Sequence, residues 1–131
     1  MDIEARGGRG WTPLLWAAHE GRLPVVQYLC EQGAAKEARA EGDWTALHFA
    51  ALYGHLPVVR YLCEQGANKE ARVCGWAPLL GAALKGHLFV VQYLCEHGAD
   101  KDARNNIHTI PLHCAARKDH TSVAEFLQGG L

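Results

Sequence analysis

The sequence has 131 residues, close to the roughly 150 residues of an average domain, and it is long enough to bury a hydrophobic core. Its 13 Lys and Arg against 14 Asp and Glu leave a net charge of −1, which argues against a dominant phosphate-binding surface or a charge-driven membrane contact. A hydrophobic fraction of 49% excludes a disordered chain, and no apolar stretch approaches the roughly 18 residues of a membrane span.

One segment occurs three times along the chain. Residues 23–34, 56–67 and 88–99 have nearly the same sequence, and their starting points are 33 and 32 residues apart. Residues 111–116 resemble residues 78–83 at a distance of 33, and residues 3–6 resemble residues 36–39. This period predicts a repeat protein. We divide it into an N-terminal repeat tail (1–9), three repeats (10–42, 43–74 and 75–107) and a C-terminal capping repeat (108–131).

The first repeat predicts two short helices in succession. Thr12 followed by Pro13 is typical of a helix start, because a Thr hydroxyl caps the helix and proline suits its first position. Gly21 is expected to end this helix in a left-handed conformation. A second helix begins near Leu23 and ends at Gly33, and about ten polar residues then form an extended turn to the next repeat. The later repeats have the same signals at Gly54, Leu56, Gly66, Gly86, Leu88 and Gly98.

Helices this short are marginal in isolation, so the repeats must support one another. Each first helix has a pair of small residues at the same position, namely Ala17-Ala18, Ala50-Ala51, Ala82-Ala83 and Ala115-Ala116. Small side chains allow neighbouring helices to approach closely. We therefore expect the repeats to stack in an open row, with a stability set by each repeat and by its nearest neighbours.

These residues resemble the ankyrin repeat, which has a Thr-Pro-Leu-His turn before Ala-Ala, followed by Gly-His-Leu and Gly-Ala-Asp. The turn appears here as Thr12-Pro13-Leu14-Leu15, Thr45-Ala46-Leu47-His48, Ala77-Pro78-Leu79-Leu80 and Ile110-Pro111-Leu112-His113. The resemblance implies an all-α solenoid of stacked helix-turn-helix units joined by β-turn or hairpin-like loops. In the family the Thr hydroxyl and the His ring hydrogen-bond within and between units, and only Thr45 and His48 retain both partners here.

The resemblance also implies a function. Ankyrin repeats bind other macromolecules through the concave surface formed by turn tips and first helices, and they have no catalytic machinery of their own. We therefore expect a non-enzymatic protein–protein interaction module that binds a partner protein. No cofactor, small-molecule substrate or membrane contact is expected, and the balanced charge disfavours nucleic acid as the partner.

The repeat accounts for most residues that could otherwise suggest a metal or catalytic site. Three histidines and three cysteines occupy equivalent positions in successive repeats: His55, His87, His120, Cys30, Cys63 and Cys95. Equivalent positions should lie roughly 10 Å apart, too far for a shared metal ion or a disulfide. The five cysteines include no Cys-x-x-Cys pair, which favours a reducing intracellular compartment, the cytoplasm or the nucleus. Cys74 lies in a turn, and we expect a thiol reagent to modify it first.

Two columns of side chains run through the predicted turn tips. Tryptophans precede the first helices at Trp11, Trp44 and Trp76, and arginines lie beside them at Arg6, Arg39, Arg72 and Arg104. One interpretation is architectural, with each arginine on a tryptophan in a cation–π contact and with acidic partners across the ladder at Glu37, Glu70 and Asp102. The other is a binding surface, because Trp and Arg are enriched among binding hot spots. Both interpretations can hold together.

Positions that differ between repeats on the expected concave side carry information about a particular partner. They are His19, Glu20, Glu41, Leu52, Tyr53, Val73, Cys74, Leu84, Lys85, Asn106, Arg117 and Lys118. With Trp11, Arg39, Trp44, Arg72, Trp76 and Arg104 they form the candidate partner-binding set. The middle of the row is apolar and its C-terminal repeat is basic, so we expect a partner with an apolar centre and acidic groups near Arg117 and Lys118.

Other functions stay open at this level. The chain could be a structural or multimerising segment of a longer ankyrin array, because its first repeat keeps the apolar residues of the internal copies. It could also be an engineered repeat protein, although its one-residue deletion and altered fourth repeat resemble drift more than idealisation. We expect a monomer, with self-association through the N-terminal repeat as the alternative.

Overall fold

The computed structural model describes residues 2–73, 75–106 and 108–129, in which there are eight α-helices and no extended strand. In chain order they are α1 (Pro13–Glu20), α2 (Leu23–Glu31), α3 (Ala46–Leu52), α4 (Leu56–Glu64), α5 (Pro78–Lys85), α6 (Leu88–Glu96), α7 (Pro111–Arg117) and α8 (Thr121–Gln128). A short 3-10 turn, Gly8–Gly10, precedes them. The predicted all-α architecture is confirmed. None of the helices in the described residues combines the length and apolar character that a membrane span requires.

The helix ends follow the residues that predicted them. Thr12 caps α1, since its Oγ1 accepts a hydrogen bond from the Leu15 amide at 3.3 Å, and Gly21 ends the helix in a left-handed conformation with φ of 73°. In the fourth unit a non-glycine residue, Asp119, adopts the corresponding left-handed conformation with φ of 63°. The ends of these short helices are thus set by residues at the ends themselves, through an N-cap side chain and a left-handed residue after the last turn.

Four helix pairs stack in a row, which we call units one to four (α1–α2, α3–α4, α5–α6 and α7–α8). Consecutive first helices contact each other more extensively than consecutive second helices, so the row curves toward the first helices. The paired alanines permit this approach, and Ala50, Ala51, Ala82 and Ala83 are fully buried. The inner face, formed by the first helices and the turn tips, is therefore concave.

The turn tips close by backbone hydrogen bonds, and one tip is shorter than the others. In the tip before α3, the Ala40 amide donates to the Trp44 carbonyl at 2.9 Å across three intervening residues. In the tip before α5, Val73 and Trp76 exchange two such bonds, of 2.8 and 2.7 Å, across only two residues. The one-residue deletion in the repeat period therefore shortens this tip and leaves the helices that follow in place.

Candidate functional site

The column of arginines joins successive turn tips through backbone carbonyls. Arg39 Nη1 donates to the Asp43 carbonyl in its own tip at 2.7 Å and to the Arg72 carbonyl in the next tip at 3.1 Å. Arg6 and Arg72 repeat this arrangement in the tips before and after. The expected cation–π contact between arginine and tryptophan is wrong in the described residues, where the cation–π contact instead joins Arg60 and Tyr93 at 5.6 Å. The guanidinium groups of Arg6, Arg39 and Arg72 are therefore each held by backbone carbonyls of their own tip and of the next one, and not by a tryptophan ring.

The acidic residues of the tips also bind backbone rather than arginine. Glu37 accepts a hydrogen bond from the Asn68 amide at 3.0 Å, and Glu70 accepts one from the Asp100 amide at 3.1 Å. The Asp102 amide donates to the Asp100 carboxylate at 2.9 Å, as the Glu70 amide donates to the Asn68 side-chain oxygen at 2.9 Å. The expected ladder of carboxylate–arginine pairs is therefore wrong in the described residues, where Glu37 and Glu70 instead tie each unit to the next through backbone amides.

The histidines that recur after the first helices have a structural role. His55 Nε2 donates to the His19 carbonyl at 2.9 Å, and His87 Nε2 donates to the Leu52 carbonyl at 2.8 Å. Each ring lies directly over a glycine of the preceding unit, so closely that a Cβ on Gly21 or Gly54 would overlap it. Burial lowers the pKa of His87, which keeps its ring neutral. These rings join neighbouring units and are not available as ligands.

His48 is the buried polar centre of the second unit. Its Nε2 donates to the Trp76 carbonyl at 3.0 Å, which leaves Nδ1 as the acceptor for the Thr45 hydroxyl at 2.7 Å. Burial, more than any neighbouring charge, lowers its pKa from 6.5 to about 4. The equivalent residue of the fourth unit, His113, is exposed. The bonds expected within and between units are thus present at His48.

The three tip tryptophans differ in their surroundings. Trp11 is only 8% exposed, because the Phe49 ring of the next unit lies 4.6 Å from it and Trp16 lies 4.2 Å away, centroid to centroid. Trp11 therefore presents little of its ring on the inner face, and its place in the partner-binding set stays a prediction. Trp44 stacks on Phe49 at 5.2 Å and is half-buried, as is Trp76. Only the second and third tryptophans therefore present a substantial apolar face.

An apolar groove of about 440 Å³ lies on the inner face between the second and third units. Trp44, His48 and Leu52 line the α3 side, and Trp76 and Leu84 line the α5 side. The remaining lining residues, Gly42, Val73, Ala77, Pro78 and Gly81, have small or apolar side chains or none. We call this depression the central groove.

The central groove exists because Gly81 has no side chain. The equivalent positions in the other units carry Trp16, Phe49 and Cys114, and Phe49 fills the space between Trp11 and Trp44. At Gly81 the nearest atoms that an added Cβ would meet belong to Leu52, the first of them at 3.5 Å. A missing side chain in an otherwise filled column therefore opens the inner face at this unit.

A second, more polar depression lies next to the central groove toward the N-terminus. It has a volume of about 300 Å³, and Trp44 and Leu52 line both depressions. Tyr53 is 47% exposed here, and its ring lies 4.6 Å from His19, whose Nδ1 is 2.8 Å from the Glu20 carboxylate. The other lining residues are Arg9, Trp11, Glu41 and Phe49.

A family model that describes ankyrin repeats, in three copies, matches residues 1–73 and 68–130. The chain belongs to the ankyrin repeat family. No curated protein matches its sequence. Ankyrin repeats are generally protein–protein interaction modules, and the family is typically non-enzymatic.

The ankyrin fold brings together five of the residues expected on the partner-binding surface. Trp44, Leu52, Val73, Trp76 and Leu84 all line the central groove, although Val73 is itself buried at 6% exposure. The exposed members outside it are Glu20, Glu41, Tyr53, Arg72, Lys85, Arg104, Asn106, Arg117 and Lys118, and Arg39 and His19 are half-buried. Cys74 lies outside the described residues.

Several residues of the central groove were not anticipated. Gly42, His48, Ala77, Pro78 and Gly81 line it, and none of them belongs to the candidate set. The available signal was the column in which Gly81 replaces an aromatic residue, since a lost side chain between two tryptophans leaves space. The candidate set was chosen from side chains that vary between repeats, and this choice did not include the position at which Gly81 has no side chain.

The described part of this ankyrin protein contains no arrangement suited to metal or thiol chemistry. No group of three or more His, Cys, Asp or Glu side chains there is placed to hold a metal ion. The thiols of Cys30, Cys63, Cys95 and Cys114 are free. Burial raises all four pKa values, to about 11 for Cys63 and Cys95, so these thiols stay protonated and unreactive near neutral pH.

Proposed function

We propose that this ankyrin repeat protein binds a partner protein on its inner face, with the apolar middle of the row as the centre of contact. The central groove is the observation that carries the proposal. Exposed apolar surface concentrated in one place is typical of an interaction site, and concave apolar pockets are typical of ligand sites. The four described cysteines are free, which supports a reducing intracellular compartment, the cytoplasm or the nucleus.

Charge on the inner face supports a partner with acidic groups toward the C-terminal end. Arg117 and Lys118 are exposed at the end of α7, and Lys85 is exposed at the end of α5. Glu20 and Glu41 lie on the opposite side, around the second depression. Complementary charge of this kind orients a partner and increases the rate of association.

Partner capture from a cell extract tests the proposal when inner-face variants are compared. We expect the Tyr53→Ala and Trp76→Ala substitutions each to weaken binding by about 2 kcal/mol or more, as at other interface hot spots, which is roughly 30-fold in Kd. Trp16→Ala removes an exposed aromatic outside both depressions and serves as the matched control. If a folded variant that combines Tyr53→Ala with Trp76→Ala retains wild-type affinity, the inner face is not the binding surface.

A second function, self-association through the first unit, is favoured by its exposed side chains. Val25 and Tyr28 on α2 are 47% and 58% exposed, whereas the equivalent Val58 and Val90 are buried. Light scattering across a range of concentrations distinguishes the two functions. A constant monomer mass supports the partner-binding function, whereas a mass that rises with concentration and is lowered by Tyr28→Glu supports self-association.

A further inference from the structure

We propose that the central groove binds one bulky apolar side chain of the partner, from a segment whose acidic residues lie over Lys85, Arg117 and Lys118. This inference rests on the proposed function, because it names the chemistry of the segment that the inner face recognises. The central groove has a volume of about 440 Å³, at the small end of the roughly 300–1,000 Å³ range of ligand pockets. A space of this size accommodates a bulky apolar side chain inserted by a partner.

The lining of the groove selects an apolar occupant. Trp44 and Trp76 line it from the two turn tips, and Leu52 and Leu84 line it near the C-terminal ends of α3 and α5. His48 is the polar side chain of the lining, and both its ring nitrogens already have partners, the Thr45 hydroxyl and the Trp76 carbonyl. A polar side chain placed beside it would lose water without gaining a bond from the imidazole, and this loss is unfavourable.

The absence of a side chain at Gly81 explains why the space is available to a partner. In the second unit the equivalent Phe49 packs against Trp11 and Trp44 and fills the corresponding volume. At the corresponding position of the third unit, between Trp44 and Trp76, Gly81 supplies no side chain. We infer that the partner supplies from outside the ring or branched side chain that Phe49 supplies from inside.

The charges around the groove are unequal on its two sides. The three cations lie on the α5 and α7 side, whereas Glu41 and Asp43 lie in the tip on the α3 side. The α7 helix packs beside α5, at a spacing of roughly 10 Å, which an extended peptide crosses in about three residues. Acidic residues three or four positions from the anchor would therefore reach Arg117 and Lys118.

Short synthetic peptides test the proposal directly. The probes are the blocked peptides Phe-Gly-Gly-Glu-Glu and Glu-Glu-Gly-Gly-Phe, with versions that replace Phe by Ala or both Glu by Lys. Nuclear magnetic resonance of the four indole N–H groups reports where each probe binds. We expect an acidic Phe peptide to shift the Trp44 and Trp76 signals but not that of Trp16, and to bind at least tenfold more tightly than its Ala or Lys version.

Two variants and their controls separate the anchor from the charges. Gly81→Phe copies the second unit and should reduce binding at least tenfold while the circular dichroism melt shows a folded protein. Trp16→Ala should leave binding unchanged. Lys118→Glu should weaken the acidic peptide and strengthen the Lys peptide, and Arg22→Glu, the same charge change in the first unit, should do neither. Leu84→Arg, which copies Arg117, repeats the test of the groove wall if Gly81→Phe does not fold.

The possible results either support or overturn the inference. Equal binding of the Phe and Ala peptides, or unchanged binding to folded Gly81→Phe, overturns the anchor. N-acetylphenylalaninamide binding as tightly as the acidic peptides overturns the acidic segment and indicates a small-molecule site. If a captured partner depends on Trp76 and Tyr53 but not on Gly81, the anchor is wrong while the proposed function stands. If neither matters, both are wrong.

Discussion

His48 combines burial with two hydrogen bonds that require a neutral ring. Its Nδ1 accepts from Thr45 and its Nε2 donates to Trp76, so a second ring proton would displace the hydroxyl proton and place a charge in the core. Burial accordingly lowers the pKa of His48 to about 4, from 6.5 in a free side chain. The folded state therefore resists a proton that the unfolded chain accepts readily.

We predict that this protein loses stability as the pH falls from about 6.5 to about 4. Above this window the ring is neutral in both states and the stabilisation is complete; within it, the unfolded state binds more protons. A shift of this size corresponds to a loss on the order of 3 kcal/mol across the window. Urea denaturation at several pH values measures it.

The substitution His48→Leu should make the stability less dependent on pH. The equivalent positions in the first and third units are Leu15 and Leu80, both buried, so leucine fits this environment. At pH 7 the variant should lose about 1 kcal/mol, because the Trp76 carbonyl loses a donor. His113→Leu, at the exposed equivalent position, is the control. An unchanged slope in His48→Leu would show that other groups control the acid response.

The stability of the protein should respond in opposite ways to alanine at two glycines, one inside a first helix and one just after a first helix. Gly81 lies inside α5, where alanine favours the helix and its Cβ makes an ordinary contact of 3.5 Å with Leu52, so Gly81→Ala should stabilise by about 0.5–1 kcal/mol. Gly54 has a φ of 74° and lies under the His87 ring, so Gly54→Ala should destabilise by about 2 kcal/mol. Urea midpoints measure both, and two changes of the same sign would contradict the prediction.

At the scale of the elements, the turn tips are held by bonds that cross from unit to unit. Arg39 bonds to its own tip and to the next one, whereas the bond of Arg104 in the described residues is to its own tip, at 3.4 Å to the His108 carbonyl. The charged donor strengthens each bond. The two arginines occupy equivalent positions and differ in that Arg39 also bonds to the next tip.

We predict that Arg39→Ala costs about 2 kcal/mol of stability, because two charge-assisted bonds are lost at once. Arg104→Ala should cost less than about 0.5 kcal/mol, as at an ordinary surface position. Thermal melts of both variants at one pH provide the measurement. Equal losses would mean that the bonds between tips add nothing to those within a tip.

The helices and the turn chemistry could be predicted from sequence, whereas the contacts between units could not. Thr12, Pro13 and Gly21 act locally, so they mark the ends of α1 wherever its neighbours lie. The target of Arg39 is a backbone carbonyl, and every residue has one, so no side-chain pattern distinguishes it from a tryptophan ring. The same limit applies to the candidate site, because the burial of Trp11 depends on Phe49 in the next unit.

At the scale of the whole molecule, the extensive helix contacts in the described residues lie within a unit or join it to its neighbours along the row. Most of the large side chains with no exposed surface lie in the second and third units, among them Leu62, Leu80 and Leu94. The first unit instead exposes Val25 and Tyr28. Stability in such a row depends on how many neighbours a unit has, so the inner units should be held from two sides and the outer units from one.

We therefore predict that amide hydrogen exchange is slowest in α3, α4 and α5 and faster in α2 and α8. Mass spectrometry of peptides from partly exchanged protein measures the order. Uniform protection along the chain would indicate that the four units open together as one cooperative body, which would contradict a stability built from separate units.

The position of the central groove depends on which unit lacks a bulky residue in the column of Phe49 and Gly81. The bonds that join the units belong to arginines, glutamates and histidines elsewhere, so they do not constrain this column. The double substitution Phe49→Gly with Gly81→Phe would close the central groove and open an equivalent one a unit closer to the N-terminus. The position at which a partner binds along an ankyrin row is then independent of the bonds that join the units. Single substitutions in this column can change that position.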